Sequence, residues 1–267
     1  MYDSVNRRLI YFGKQAHDAT YWDNLWDTQD IHGQLLNSRA DMEVAVTRKN
    51  VSLGSKILEG GCGLGYKTHA LKKAGYLVVG IDFAARTVET VKKIVPELDV
   101  RIGDVRKLDF PDNYFDGYWS LGVIEHFWDG YEDIFSEAWR VLRPGGFFFL
   151  SFPQMSILRR IKANFGLYTK IPVNSEVEHG DFYQFALNPS KVAEDLRQFS
   201  FHVTQQKSNN GFKAIKDEIS FIEPLLRFTQ NNARHLPCKA FNKALDLLSS
   251  CYCGHSCLII ATKEHKL

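Results

Sequence analysis

The stretch Lys56-Ile-Leu-Glu-Gly-Gly-Cys-Gly-Leu-Gly at residues 56–65 constrains the fold more than any other part of the chain. The apolar pair Ile57 and Leu58 is typical of a buried strand, and it is followed by the acidic Glu59. Four of the next six residues are glycine, and a helix-like stretch then continues to Gly75. A strand, a glycine turn and a helix in this order let a nucleotide-like ligand approach bare backbone at a helix N-terminus.

The spacing of these glycines argues against two common phosphate-binding loops. The dinucleotide fingerprint needs glycine at its first, third and sixth positions. The sixth position is Tyr66 when counted from Gly61 and Thr68 when counted from Gly63. The P-loop pattern Gly-Lys-Ser/Thr is missed by one residue at 65–68. A nicotinamide-dependent oxidoreductase is therefore disfavoured, and an acid leads the turn instead of a pyrophosphate-binding loop.

From Lys56 onward, apolar strand patterns alternate with helical patterns, which predicts a parallel sheet with helical crossovers. The predicted fold class is α/β, with a Rossmann-like, seven-stranded, mostly parallel sheet flanked by helices. After the strand that ends at Glu59, we predict strands at 77–81, 100–102, 115–120, 147–151, 201–205 and 257–262.

Three further segments complete the predicted domain organisation. Residues 1–50 form an N-terminal cap or lid segment, and residues 51–267 form the α/β domain. Helical insertions at 153–187 and 209–254 follow the fifth and sixth strands, and they are expected to lie on the substrate side or to form an oligomer contact. A homodimer is one such possibility.

Acidic residues follow three successive predicted strands: Glu59, Asp82 and Asp104. In an open α/β sheet, ligands bind outside the carboxyl ends of the strands, near the point where the strand order reverses. One acid at a strand end is a weak signal, because strand ends are often polar. Three in register beside a glycine turn predict one ligand crevice.

The pattern Glu59-x-Gly61-x-Gly63-x-Gly65 resembles the first motif of class I S-adenosylmethionine-dependent methyltransferases. The runs at 108–116 and 142–146 are similar to the Leu-Pro-Phe-Pro-Asp-x-x-Phe-Asp and Leu-Lys-Pro-Gly-Gly segments of the ubiquinone/menaquinone-biosynthesis-like members. The resemblance covers about residues 56–152. It implies S-adenosylmethionine as the cofactor and a small-molecule acceptor methylated at oxygen, nitrogen or carbon, and it leaves the acceptor open.

The resemblance also implies roles for individual residues around the cofactor. Asp82 is expected to accept both ribose hydroxyls, Phe83 to lie against the adenine, and Asp104 with the backbone of Val105 to receive the adenine amino group. N-terminal segments often close over the cofactor in this class, so Trp22 is a candidate beside Tyr21. The remaining predicted cofactor-binding residues are Glu59, Gly60, Gly61, Cys62, Gly63, Gly65, Ser120, Leu121, Gly122 and Tyr21.

Methyl transfer is an in-line displacement, for which alignment of the reactants can supply about 7–11 kcal/mol. A base is needed only for a hydroxyl or ammonium acceptor, and His126 is the candidate, with Glu125 beside it. The alternative is that His126 caps a helix or binds substrate. His179 and Tyr183 are candidate substrate-binding residues, with loop packing as the alternative. Metal-dependent relatives carry a Glu three residues before the Glu-His pair, and this chain has Gly122 there, so no metal is expected.

Composition adds few constraints on partners. The formal net charge is +2, with 24% charged residues, so no strong field is expected to attract nucleic acid or an anionic membrane. The basic and apolar residues at 157–162 leave open an anionic or lipid-linked acceptor at a membrane surface, against a solvated helix face. No apolar stretch is long enough to span a bilayer.

The start of the chain and its cysteines indicate a compartment. The first residues contain no apolar signal-peptide core, and five cysteines are expected to be reduced thiols, so a cytoplasmic protein is predicted. The cluster at 251–257 suggests zinc, but its spacing is not a paired Cys-x-x-Cys. We interpret these cysteines as core residues.

Two other function classes remain to be weighed. A non-catalytic interaction module with the same fold is the main alternative, although such a module has no need of three intact carboxylates. A protein or nucleic-acid methyltransferase is disfavoured, because no Asn/Asp-Pro-Pro-Tyr/Phe tetrad follows the fourth strand and no basic excess is present.

Overall fold

The computed structural model describes residues 1–13, 18–27, 33, 35, 40–171 and 181–264. The strands in this part of the chain are β1 (Tyr2–Asp3), β2 (Arg8–Phe12), β3 (Lys56–Gly60), β4 (Leu77–Asp82), β5 (Val100–Ile102), β6 (Phe115–Leu121), β7 (Leu142–Pro153), β8 (Phe182–Ala186), β9 (Phe201–Asn209) and β10 (Ser256–Lys263). The α-helices are α1 (Ala19–Asp27), α2 (Asp41–Asn50), α3 (Tyr66–Lys73), α4 (Ala85–Ile94), α5 (Glu132–Val141), α6 (Ile157–Asn164), α7 (Pro189–Gln198), α8 (Gly211–Glu218), α9 (Glu223–Asn231) and α10 (Leu236–Cys253).

Seven of these strands form the main sheet, in the order β5-β4-β3-β6-β7-β10-β9. The pairs from β5 to β7 are parallel, and β10 is antiparallel to both of its neighbours. The chain enters the sheet at β3, moves outward to β5, and then returns to β6 on the other side of β3. The strand order therefore reverses between β3 and β6, and the predicted Rossmann-like sheet is confirmed.

Alternating side chains of the central strands supply the two faces of the sheet. On one face Trp119 stacks on Phe149 with ring centroids 4.3 Å apart, and this face is covered by residues of α2 and α3. On the other face Tyr118 and Phe148 pack against α5 and α7. Because apolar side chains are buried on both faces, these strands read as nearly continuous apolar runs in the sequence.

A second, three-stranded sheet has the order β1-β2-β8. Strand β8 lies in the insertion at 153–187, which the sequence pattern predicted to be helical; the described part of this insertion contains α6 and β8. The pairing joins Leu9 to Ala186 and Ile10 to Phe185, residues far apart in the sequence. The N-terminal segment is thereby attached to the insertion beside the main sheet.

The insertion between β9 and β10 consists of α8, α9 and α10, which confirms the predicted extra helices after the sixth strand. These helices pack on one another, and α10 also contacts α6 and β9. Within the described residues, no helix is both long and apolar enough to cross a bilayer.

Candidate functional site

A cavity of about 620 Å³ opens at the carboxyl ends of β3, β4 and β6, where the strand order reverses. The candidate acceptor-side residues Glu125, His126 and Tyr183 line it. The predicted cofactor-binding residues that line it are Glu59, Gly61, Cys62, Gly63, Asp82, Phe83, Asp104, Val105, Leu121 and Gly122. The fold therefore brings most of the predicted site together.

Five predicted residues lie elsewhere or are not described. Gly60 faces the hydroxyl of Tyr118, and Gly65 precedes α3; neither lines the cavity. Ser120 is fully buried, and Tyr21 contacts Trp22 edge to face rather than lining the cavity itself. His179 lies outside the described residues. The roles assigned to these five, like those of the residues that line the cavity, stay predictions.

The turn after β3 requires glycine at two positions. Gly61 and Gly63 have φ values of 72° and 49°, in the left-handed region. A Cβ at Gly61 would lie 2.4 Å from Cγ2 of Val123, and one at Gly63 would lie 3.0 Å from Cζ2 of Trp26. A side chain at Gly61 would clash with Val123, and one at Gly63 would require the Trp26 ring to shift, so the turn presents backbone alone to the cavity.

Asp82 fixes this turn to the end of β4. Its Oδ2 accepts the backbone N–H of Gly63 at 2.7 Å, and its Oδ1 accepts the backbone N–H of Ala84 at 2.9 Å. Burial raises the pKa of Asp82, against the effect of these N–H groups. Each oxygen has a further lone pair, so the carboxylate can accept more hydrogen bonds from a ligand.

Glu59 is buried at the end of β3 with a cation nearby. Its Oε2 accepts a hydrogen bond from the Thr68 hydroxyl at 2.5 Å. Burial raises the pKa of Glu59 to about 7, and the charge of Lys67 opposes this rise. Burial lowers the pKa of Lys67, but Glu59, Tyr66 and Glu43 together raise it above its usual value, so the ammonium stays charged. The cavity floor thus holds an acid that is ready to ionise when a cationic ligand approaches.

Asp104 is held by an arginine that the sequence analysis did not single out. Arg106 donates from Nε to Oδ1 at 3.0 Å and from Nη2 to Oδ2 at 2.6 Å. Partial burial raises the pKa of Asp104, but the hydrogen bonds and charge of Arg106 hold it below its usual value. The guanidinium also lies 5.1 Å from the ring centroid of Phe127. This strand-end acid is therefore charged and oriented, unlike Glu59.

Glu125 is a buried carboxyl whose Oε2 has no hydrogen-bond partner within the described residues. Burial raises its pKa to about 8, so at neutral pH the group carries a proton. A buried polar atom without a partner costs free energy unless a ligand or water satisfies it. Glu125 is thus the group in the cavity that most needs a ligand.

His126 follows Glu125 in a single turn of 3₁₀ helix. Its Nδ1 donates a hydrogen bond to the backbone carbonyl of Tyr183 at 2.7 Å, and its ring meets Trp22 edge to face at 4.9 Å. Burial lowers the pKa of His126 to about 4, although the bond to Tyr183 opposes this shift. The imidazole is neutral at pH 7, with Nε2 unprotonated because Nδ1 carries the hydrogen.

Helix α1 closes one side of the cavity with Trp22, Leu25 and Trp26. Asp23 ties this helix to α4, since its Oδ1 accepts the backbone N–H and the hydroxyl of Thr87, each at 2.9 Å. Trp26 is absent from the predicted site. The signal was present, because positions 22, 25 and 26 share one face of a helix.

The cavity also contains ionisable residues that the sequence analysis missed. Lys67 and Arg106 line the cavity. Each follows a predicted site residue by two positions, Gly65 and Asp104 respectively, and this closeness in the sequence could have identified them. Three further acids line the rim, at or just before α5: Asp129, Glu132 and Asp133. Within the described chain, no group of three or more His, Cys, Asp or Glu side chains is placed to hold a metal ion.

Comparisons with known proteins show that this chain is similar to methyltransferases. Residues 58–150 match the family model described as a methyltransferase domain. A probable S-adenosylmethionine-dependent methyltransferase of Mycolicibacterium smegmatis is 35% identical over 150 residues, which are 56% of this chain and 53% of that protein. The ubiquinone biosynthesis O-methyltransferase of Actinobacillus pleuropneumoniae is 32% identical over 165 residues, 58% of this chain and 66% of that protein.

The fold similarity extends over more of the chain. The solved structure of a Pyrococcus horikoshii protein superimposes with a TM-score of 0.58 at 20% identity, covering 90% of this chain and 99% of that one. The chain spans about half the length of the curated relatives that it matches.

Proposed function

We propose that this chain is a class I S-adenosylmethionine-dependent methyltransferase, which transfers a methyl group to oxygen, nitrogen or carbon of a small-molecule acceptor; the methyltransferase-domain match over residues 58–150 supports this proposal. The observation that carries the proposal is the set of strand-end acids Glu59, Asp82 and Asp104 around one cavity behind a glycine turn. The cavity volume of about 620 Å³ lies within the range of roughly 300–1,000 Å³ typical of ligand pockets.

The residues of the cavity fit S-adenosylmethionine. Asp82 offers lone pairs to the two ribose hydroxyls, and the bare turn at Gly61 and Gly63 leaves room for the methionine part of the cofactor. Glu59 and Glu125, both with raised pKa values, suit a ligand that carries an ammonium and a sulfonium. S-adenosylmethionine supplies a methyl carbon that its sulfonium already activates.

The acceptor side is assigned to Glu125, His126, Tyr183 and Trp22. His126 holds its Nδ1 proton on the Tyr183 carbonyl and can take a proton at Nε2. Its pKa of about 4 makes it a weak base, so it serves best for orienting an acceptor or relaying a proton from one that ionises easily. The aromatic rings around it exclude water from the reacting atoms.

Isothermal titration calorimetry with S-adenosylhomocysteine, with NAD as the control ligand, tests the proposal. We expect binding of S-adenosylhomocysteine alone, followed by methyl transfer in a screen of small-molecule acceptors. Binding without transfer to any acceptor would favour the non-catalytic interaction module. Binding of NAD, or of neither ligand, would contradict the assignment of the cavity.

The same titration carries an internal check on the acids. A ligand ammonium near Glu59 and Glu125 lowers their pKa values, so binding near pH 7 should release protons. Titrations in buffers of different ionisation enthalpy measure this release. Binding with no proton release would remove both glutamates from the ligand's surroundings while leaving the role of Asp82 intact.

The remaining expectations concern the whole protein. We propose a cytoplasmic enzyme without nucleic-acid partners, in which α1 acts as a lid over the cofactor. None of the residues that line the cavity in the described chain comes from α8, α9 or α10. This supports an acceptor pocket near β8 and α1, with another role for the three-helix insertion.

A further inference from the structure

Helix α10 exposes its apolar side to solvent, whereas an ordinary surface helix buries that side. Its exposed side carries the apolar residues Leu236, Phe241, Leu247, Leu248 and Tyr252, which helical geometry places within one arc. Leu247 and Leu248 are 74% and 75% exposed. The side that faces the protein carries mostly polar or small residues, so the apolar stripe that normally enters a core points away from it.

The inward polar residues explain why the helix lies this way. Asp246 accepts the backbone N–H of Phe212 at 3.0 Å, and the Ser250 hydroxyl accepts that of Gly211 at 3.1 Å. These are two of the first N–H groups of α8, which have no partner within their own helix. Asn242 also donates to the backbone carbonyl of Thr229 in α9 at 3.1 Å. The polar side of α10 is therefore committed to holding the insertion together, which leaves its apolar side outward.

The exposed surface of α9, which packs against α10, extends the apolar character. Leu225 and Phe228 are 59% and 61% exposed. An apolar surface of this kind on two adjacent helices marks an interaction site. We call the exposed apolar residues of α9 and α10 the outer face.

Charges beside the outer face are positive. Lys239 and Lys243 lie along one edge of α10, and Arg234 precedes the helix. In the described part of the chain, no carboxylate lies within ion-pair distance of these three cations. The two acids of these helices are engaged elsewhere, Asp246 with α8 and Glu223 with Arg227. A two-fold contact between copies would bring like charges together without carboxylates to pair with them.

We propose that the outer face binds the surface of an anionic lipid bilayer. An amphipathic helix with an apolar arc bordered by lysines lies in the plane of the interface, with its apolar side in the headgroup region. Each cation near an anionic membrane surface adds attraction. The proposal does not depend on methyl transfer, because vesicle binding by this face needs neither cofactor nor acceptor.

Flotation of the intact protein with vesicles tests the proposal. We expect recovery with vesicles of equal parts phosphatidylcholine and phosphatidylglycerol, and much less with phosphatidylcholine alone. The double variant Leu247→Asp/Leu248→Asp should bind about tenfold less or weaker still, since each leucine loses its apolar burial. The variant Lys239→Gln/Lys243→Gln should bind anionic vesicles about fivefold more weakly for each charge removed. Leu53→Asp, at a leucine 67% exposed outside the insertion, should bind like the unmodified protein.

Circular dichroism and the thermal midpoint check that each variant is folded, and light scattering reports the oligomeric state. Three results overturn the proposal. These are no recovery of the unmodified protein with anionic vesicles, equal recovery of the Leu247→Asp/Leu248→Asp and Leu53→Asp variants, and a dimer that only Leu247→Asp/Leu248→Asp dissociates. The last result would assign the outer face to a second copy of the chain.

Discussion

The carboxyl edge of the main sheet and the helical insertion bury polar side chains in different ways. At the sheet edge, Glu125 is buried with one oxygen unpartnered, and Glu59 holds a raised pKa. Where α6 meets the insertion, Arg159 of α6 is 1% exposed, yet it donates to Glu218 of α8 at 2.7 Å and to the Gln154 carbonyl at 2.8 Å. The unpartnered carboxyl oxygen that lines a cavity indicates a ligand, whereas the fully hydrogen-bonded guanidinium of Arg159 indicates a structural role.

The two regions also differ on their exposed sides. The sheet edge surrounds a cavity with acids and aromatic rings, whereas the insertion turns apolar side chains of α10 to the outside. Substitutions at the contact between α6 and the insertion should change stability without changing ligand affinity. Substitutions at the sheet edge should change ligand affinity, and those at its buried acids should also change the pH dependence of stability.

The largest effect is expected for Arg159→Ala. Removing one partner of a buried ion pair costs about 3–5 kcal/mol in unfolding free energy. Urea denaturation measures this loss, and affinity for S-adenosylhomocysteine should be unchanged in the folded protein. The control is Arg160→Ala, an exposed neighbour with no side-chain partner in the described chain, which should behave like the unmodified protein. A loss of affinity with Arg159→Ala would contradict this prediction, because it would show that the contact between α6 and the insertion affects the ligand site.

The next effect is expected for Asp82→Ala. Loss of hydrogen bonds to a charged group costs about 1.5–3 kcal/mol, so affinity for S-adenosylhomocysteine should fall about tenfold to a hundredfold. Calorimetric titration measures it. Asp109→Ala, at an exposed aspartate, is the matched control. Unchanged affinity of the Asp82 variant would refute the ribose assignment.

Glu125 predicts a pH dependence of stability. Its folded pKa of about 8 lies above the ordinary value of 4.5, so the native state binds more protons than the unfolded state between these values. Stability from this group is complete below about pH 4.5 and falls as the pH rises toward 8, by about 1.4 kcal/mol per unit of pKa difference at most.

Urea denaturation at acidic and at mildly alkaline pH tests this dependence. Glu125→Gln removes the titration, so the variant should lose less stability than the unmodified protein on going to alkaline pH. Glu89→Gln, at an exposed glutamate, should follow the unmodified protein. Parallel curves for all three proteins would contradict the buried, protonated state of Glu125.

The smallest effect is expected for Asp23→Ala, which frees α1 from α4. Loss of the two bonds from Thr87 should weaken S-adenosylhomocysteine binding by about 1 kcal/mol and speed hydrogen exchange in α1. Thr20→Ala, at an exposed position of the same helix, is the control. If exchange in α1 rises but affinity does not change, the helix is not a lid.

Much of the sheet edge could be predicted because its information is local. A strand, a glycine turn and an acid at each strand end lie within a few residues of one another, and parallel strands carry those ends to one side of the sheet. The cations beside these acids were missed. The roles of Lys67 and Arg106 follow only from the tertiary structure, which places them beside the carboxylates of Glu59 and Asp104.

The sequence by itself determined the α/β class, the position of the cavity and the presence of the extra helices. The sequence pattern predicts helices within 209–254 correctly, but a helical pattern does not say which side of α10 is buried. The tertiary structure decided that, because the first N–H groups of α8 needed acceptors and Asp246 and Ser250 supply them. Likewise, β8 pairs with β2, which lies about 170 positions earlier in the sequence. A local sequence pattern does not identify such a distant partner, so this strand was not predicted.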